Sequence, residues 1–227
     1  MDERILSLEQ AIRLLNRGGI LLYPTETFYA IGCHPENTAG LARIYQLKDR
    51  PASKPLPLLA ASLERAANVV DLANCPASLL SFWPGPLTLL LPVKKQLAQA
   101  LINSQHKAAI RVSPHAAACA IARACGGFLP ATSANPAGGR PGRDIRSLDR
   151  DWLAACARLG ADFGICQGAT GYPDSRGSLG SLDQPVYTEP STLAEPLEIE
   201  GKIGLRILRA GCIPEAALTN RELQVIP

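Results

Sequence analysis

Apolar positions along the chain switch between two periods. After Ser7, the residues Leu8, Ala11, Ile12 and Leu15 recur at helical spacing, which predicts an amphipathic helix. Ser7 and Gln10 form a capping-box pattern at its start, and Gly18-Gly19 stop it. The unbroken run Ile20–Tyr23, closed by Pro24, predicts a short buried strand. Helical spacing returns over Thr38–Leu47, with Leu41, Ile44 and Tyr45 inward, and over Ser62–Val70, Pro114–Cys125 and Leu148–Leu159. Strand signals fall at Leu56–Ala60, Leu87–Val93, Ala108–Val112, Phe128–Thr132, Phe163–Cys166 and Ile203–Leu208. This alternation predicts an α/β domain around a mixed, twisted sheet. Gly168–Pro190 is rich in Gly, Ser, Pro and Asp. It reads as a long loop, a type that is usually functional or mobile in compact domains.

Composition narrows the class. The 227 residues suffice for one sizeable core, so a single domain over 1–227 is expected. Basic and acidic side chains nearly balance, 23 against 20. A nucleic-acid scaffold would carry a clear basic excess, whereas a local basic pocket remains compatible. The seven cysteines are odd in number and form no C-x-x-C pair, which argues against a disulfide framework or zinc knuckle. Most sit in apolar runs as small buried hydrophobes, and a reducing, cytoplasmic setting is expected. Met1–Gln10 lacks the form of a signal peptide, and no apolar run is long enough to span a membrane.

Familiar catalytic motifs are absent. No G-x-x-x-x-G-K-[ST] occurs, and the spacing in Gly138-Gly139-Arg140-Pro141-Gly142 is wrong for a dinucleotide turn. His34, His106 and His115 have no metal-ligand spacing, and a Ser-His-Asp elbow is missing. Each histidine reads as a surface or loop side chain.

Four constellations can carry chemistry. Pro24-Thr25-Glu26-Thr27 follows a strand end, where α/β sheets bind ligands. It serves equally as a capped turn. Lys48-x-Arg50 with Lys54-Pro55 gathers three cations at a helix end. They can complement the helix dipole or hold a phosphate, with Arg50 as fork and the lysines as point charges. If the segment is extended, alternation points Lys48 and Arg50 the same way. Ala131-Thr132-Ser133-Ala134-Asn135-Pro136, followed by Gly138-Gly139, is a polar turn or a close-approach ligand loop. Arg111, near a strand end, is a surface residue or a carboxylate clamp. Trp83–Thr88 (WPGPLT) reads as a rigid structural turn.

Taken in order, these segments resemble the YrdC-like family of threonylcarbamoyl-adenylate synthases. The resemblance rests on Gly19–Gly32 (GILLYPTETFYAIG), Lys48-x-Arg50 with Lys54-Pro55, WPGPLT, Arg111-Val112, Ser133-Ala134-Asn135, Ser191-Thr192 and Leu208-Arg209. It spans roughly Ser7 to Ile213, and the ordered set is more specific than any one motif. It implies a twisted mixed sheet flanked by helices, with a concave, positively lined cavity. It further implies condensation of ATP, bicarbonate and L-threonine into threonylcarbamoyl-AMP plus pyrophosphate, for N6-threonylcarbamoyladenosine in tRNA. By the resemblance Lys48, Arg50, Ser133 and Asn135 form the catalytic nucleotide core. Lys54 and Arg209 help hold ATP, while Thr27, Arg111 and Ser191 hold threonine. Magnesium would be bound through the phosphates, with no tightly held cofactor and no protein metal site. Partners would be the tRNA threonylcarbamoyl-transfer machinery, with weak tRNA or double-stranded RNA binding as a further possibility and no membrane. Ala30, Pro136-Ala137-Gly138 and Gln167-Gly168-Ala169 depart from the family pattern. The chain ends soon after Ile213, so the extra C-terminal domain of longer members is not expected.

Three alternatives compete. A carbamoyl-transfer relative from hydrogenase maturation would carry zinc-binding cysteine pairs. A non-catalytic double-stranded RNA-binding or ribosome-maturation factor would be more basic and more aromatic than 5%. An inactive paralogue would be expected to lose Lys48, Arg50, Ser133 or Asn135.

Overall fold

The computed structural model describes residues 4–167, 187–199, 202–219 and 223–225. Most of the expected Gly168–Pro190 loop, residues 168–186, lies outside the described residues. In chain order the elements are β1 (Ile5–Leu6), α1 (Leu8–Asn16), β2 (Ile20–Tyr23), β3 (Ala30–Cys33), α2 (Thr38–Lys48) and β4 (Leu58–Ala60). Then come α3 (Leu63–Ala67), α4 (Ala77–Leu80), β5 (Leu87–Pro92), β6 (Lys107–Val112), α5 (Ala116–Ala124), β7 (Phe128–Pro130) and β8 (Thr132–Ser133). The chain continues through α6 (Arg150–Ala157), β9 (Phe163–Cys166), β10 (Thr192–Ile199), β11 (Lys202–Arg209), α7 (Glu215–Leu218) and β12 (Gln224–Val225).

The helix ends follow the expected chemistry. Ser7 accepts from the Gln10 backbone and Gln10 answers to Ser7, closing the capping box on α1. Ser62 and Asp149 cap α3 and α6 with side-chain oxygens that accept from the Arg65 and Trp152 amides. At the far end of α2, Asp49 adopts the left-handed conformation with φ 47°. This corrects one sequence expectation. Lys48 closes a helix and Arg50 follows a left-handed cap, so the two are not alternate residues of an extended segment. The cap turns the chain between them, and their side chains reach different places.

The strands form two mixed sheets rather than the single one expected. The first has the order β1-β9-β2-β3-β8 and the second β12-β11-β10-β5-β6-β4-β7. Successive residues of β2 face opposite layers, as the pleat dictates. Ile20 and Leu22 join the main core with Leu58, Leu87 and Ile110. Leu21 and Tyr23 join a second core with α1 and α5, through Leu14, Leu15, Ala118 and Ile121. Burial on both faces explains why β2 reads as an unbroken apolar run.

Four strands were not legible: β1 and β12, which are two residues long, and β3 and β10. In β3, Gly32 interrupts the apolar run, because a Cβ there would stand 2.3 Å from the Pro130 carbonyl oxygen. In β10, Glu195 is buried at the middle of the strand, paired with Lys107 of β6 at 2.6 Å and Arg206 of β11 at 2.5 Å. That charge cluster and Pro196 hide the strand pattern. The WPGPLT turn contains a cis Trp83–Pro84 bond, and the Trp83 indole donates to the Leu87 carbonyl at 2.6 Å.

None of the seven cysteines forms a disulfide, and all but Cys212 are buried. Burial pushes the thiols of Cys33, Cys75, Cys119, Cys125 and Cys156 upward, Cys33 and Cys156 to about 12, so they behave as packing residues. Among the described residues no helix is long and apolar enough to cross a membrane.

Candidate active site

A cavity of about 210 Å³ opens where the loop after β2, the loop after α2, the ends of β5 and β6, the β7–β8 junction and the start of β10 converge. Thr27, Arg50, Arg111, Ser133, Ser191 and Arg209 line it. Six of the nine expected site residues, drawn from distant parts of the chain, therefore line one cavity. Lys48, Lys54 and Asn135 do not line it. Thr88 does, and motif reading had assigned it only to a structural turn.

Each arginine is gripped by one edge. Arg50 donates from Nε to the Lys54 carbonyl at 2.7 Å and from Nη2 to the Pro55 carbonyl at 2.8 Å. Arg209 donates from Nε and Nη2 to the Ser191 carbonyl at 3.2 and 2.6 Å, and from Nη2 to Ser191 Oγ at 3.0 Å. Arg111 places Nε 2.7 Å from Glu26 Oε1, with Nη2 3.4 Å from Thr25 Oγ1. The Nε–H of Arg111 does not point along that short line to Oε1, so this contact is an ion pair before it is a hydrogen bond. In every case the Nε side is taken by protein, and the outer end of the guanidinium is left for a ligand with paired oxygens.

Burial tunes these groups. Arg50 is half-buried, and desolvation pulls its guanidinium below the ordinary value. Arg209 is exposed along much of its length while its head lies in the wall. Partial burial of that head, then the fields of Arg111 and Arg50, pull it down as well. Arg209 thus stands in the repulsive field of Arg111 and Arg50, which a bound anion would offset.

Lys48 serves the wall from behind. Its side chain is buried, and Nζ donates to the Ser133 and Asn135 carbonyls at 2.5 Å each. Its own carbonyl accepts from the Ala137 amide at 2.8 Å. Burial, then the nearby Arg50, pull its ammonium down to about 8. Asn135 continues the brace, donating to the Pro136 and Gly139 carbonyls at 2.9 and 2.6 Å. Lys54 is exposed; its carbonyl anchors Arg50 and accepts from the Tyr45 hydroxyl at 3.0 Å. On the opposite wall Thr88 Oγ1 and Ser191 Oγ are 2.8 Å apart, both buried. Thr88 could have been found only by pairing β5 with β10, because Leu193 stands opposite it in the ladder.

The wall is one-sided in charge. Its described lining residues include three arginines and several hydroxyls but no Asp, Glu, His or Lys side chain. Such a surface can orient anions and stabilise developing negative charge. It offers no side chain suited to proton abstraction near neutral pH.

The Sua5/YciO/YrdC family model, described as telomere recombination, matches residues 13–168. A threonylcarbamoyl-AMP synthase of Xanthomonas euvesicatoria is 35% identical over 170 residues, covering 73% of this chain and 88% of that protein. One from Methylococcus capsulatus is 39% identical over 138 residues, covering 60% and 74%. Among solved structures, P. abyssi Sua5 complexed with L-threonine superposes with a TM-score of 0.73 at 24% identity. That match covers 97% of this chain but only 59% of the P. abyssi protein, and it speaks to fold.

Proposed function

The chain belongs to the Sua5/YciO/YrdC family, and from that premise we propose that it is a threonylcarbamoyl-AMP synthase. It is a nucleotidyltransferase that condenses L-threonine, bicarbonate and ATP and releases pyrophosphate. Its product supplies the machinery that makes N6-threonylcarbamoyladenosine in tRNA. The observation that carries this reading is the cavity wall, three arginines and hydroxyls without an acid-base side chain.

The chemistry suits such a wall. The threonine ammonium loses a proton to solvent, bicarbonate takes up a proton and loses water to give carbon dioxide, and the amine adds to that carbon and sheds its second proton to solvent, leaving a carbamate. A carbamate oxygen then attacks the α-phosphorus of ATP. The bond from that phosphorus to the bridging oxygen breaks, and pyrophosphate leaves with its electron pair. The nucleophile is already anionic, so the protein has only to hold the two reactants in line and stabilise the phosphate charge. Arg111, with Thr27 and Ser191, takes the threonine carboxylate. Arg50, Ser133 and Arg209 take the nucleotide, braced by Lys48 and Asn135, with Lys54 at the rim. Among the described residues no group of His, Cys, Asp or Glu is placed to hold a metal ion. Magnesium would therefore ride on the phosphate oxygens and neutralise part of their charge.

The test is pyrophosphate release from ATP with each co-substrate present or withheld. Release is expected only when L-threonine and bicarbonate are both present. Release that ignores either one would overturn the assignment.

A further inference from the structure

The cavity's arginines are not equivalent in their counter-charges. Glu26 is 2% exposed and stands 2.7 Å from Arg111. Arg50 and Arg209 are held by carbonyl and hydroxyl oxygens, and neither pairs with a carboxylate among the described residues. Glu26 does not itself line the cavity. It lies behind Arg111, fixed there by the Ser113 hydroxyl, which donates to Oε2 at 2.5 Å. The Ser113 hydroxyl is held in turn by the His115 amide at 3.1 Å.

This arrangement sorts anions. Arg111 with Glu26 carries no net charge but still presents N–H donors to the cavity. Arg50 and Arg209 present donors and net positive charge. A phosphate gains most where the positive charge is uncompensated. A zwitterionic amino acid needs donors for its carboxylate, while excess positive charge nearby would repel its ammonium. A counter-charge placed against one anion in this way is a device of specificity rather than raw affinity.

We propose that Glu26 is a specificity-determining, positioning residue: by neutralising Arg111 it reserves that guanidinium for the amino-acid carboxylate and keeps phosphate on Arg50 and Arg209. The proposal rests on the amino-acid role of Arg111 given above.

The experiment is calorimetric titration of L-threonine, with and without inorganic phosphate, into the wild type, Glu26→Gln, Glu26→Asp and Arg111→Ala. In the wild type, phosphate should shift the threonine Kd by less than about twofold. In Glu26→Gln, phosphate should compete, raising the apparent Kd about tenfold or more at high phosphate. Glu26→Asp, which keeps the charge, should discriminate like the wild type. Competition by phosphate in the wild type overturns the proposal even if Glu26→Gln fails to fold. So does weak threonine binding in Glu26→Gln that phosphate does not worsen, which is the mark of a merely structural residue. Lost threonine binding in Arg111→Ala beside a phosphate-insensitive Glu26→Gln sinks the selectivity proposal alone. Unchanged threonine binding in Arg111→Ala sinks the amino-acid assignment beneath it.

Discussion

The two walls of the cavity are built from different materials. The wall carrying Thr88, Arg111 and Ser191 stands on β5, β6 and the start of β10, and side chains hold its groups: Glu26 on Arg111, Thr88 on Ser191. The wall carrying Arg50 and Ser133 stands on the end of α2, the loop after it and the β7–β8 junction. There the braces are backbone carbonyls, gripped by Lys48, Arg50 and Asn135. A strand-borne wall fixes a small ligand in one pose. A loop wall laced through carbonyls presents several donors over a longer reach, as a triphosphate requires. Arg209 spans the two, rooted on β11 and gripping Ser191.

If this division is real, damage to either wall should differ in kind. Arg111→Ala leaves Glu26 buried without its cation and should cost about 3–5 kcal/mol of stability. Thermal or urea unfolding checks it, and a loss below about 1 kcal/mol would mean that the pair is effectively solvated. Arg50→Ala should instead spare the fold and cut kcat/KM for ATP by a factor corresponding to about 2.7–4 kcal/mol. An active Arg50→Ala enzyme would remove that arginine from the nucleotide side. Lys48→Met orphans the buried Asn135 carbonyl, at about 1–3 kcal/mol if it finds no water, and removes one of two donors from the Ser133 carbonyl, which keeps the Asn135 amide. It should lower both stability and ATP turnover, a combination that separates a brace from a ligand.

The Lys48 ammonium also gives the loop wall a pH signature. Its value in the folded protein, about 8, lies below the ordinary 10.5. The folded state therefore sheds this proton first. Between those limits the unfolded chain binds more protons, so this residue's contribution to stability rises with pH. The charge on the brace is lost over the same interval, so ATP affinity should fall above about pH 8 while threonine affinity holds. Affinities measured across that range decide it, and a flat ATP profile would remove the charge from the account. The smallest effect is expected from Thr88→Val, which removes one hydroxyl contact to Ser191. It should raise the threonine KM by the equivalent of about 0.5–1.5 kcal/mol and leave the ATP KM alone.

Legibility followed the same divide. Elements with clean periodicity were readable: α1 with its capping box, the buried run of β2, β9 and the α2 start all fall where the pattern places them. Elements that give up side chains to close contact or charge were not. Gly32 of β3 yields its Cβ to Pro130, and Glu195 and Pro196 break the pattern of β10. The make-up of the two sheets turns on those two strands, since β10 joins β11 to β5 in one and β3 joins β2 to β8 in the other. At the site, residue types and order pointed to the cations and hydroxyls that converge. Sequence could not say which cation faces the ligand, because a single left-handed residue, Asp49, decides it by turning the chain between Lys48 and Arg50. Nor could it reveal Glu26 behind Arg111, a pairing between the loop after β2 and strand β6, 85 residues apart in the chain numbering.

The division of labour is tested most directly by binding, without turnover. L-threonine and ATP are titrated separately into folded Arg50→Ala and Arg111→Ala, with the wild type as reference. Threonine binding should survive Arg50→Ala and disappear in Arg111→Ala, with ATP behaving in the opposite way. Loss of both ligands in either folded variant, or loss of threonine on removing Arg50, would contradict a cavity with two separately built walls.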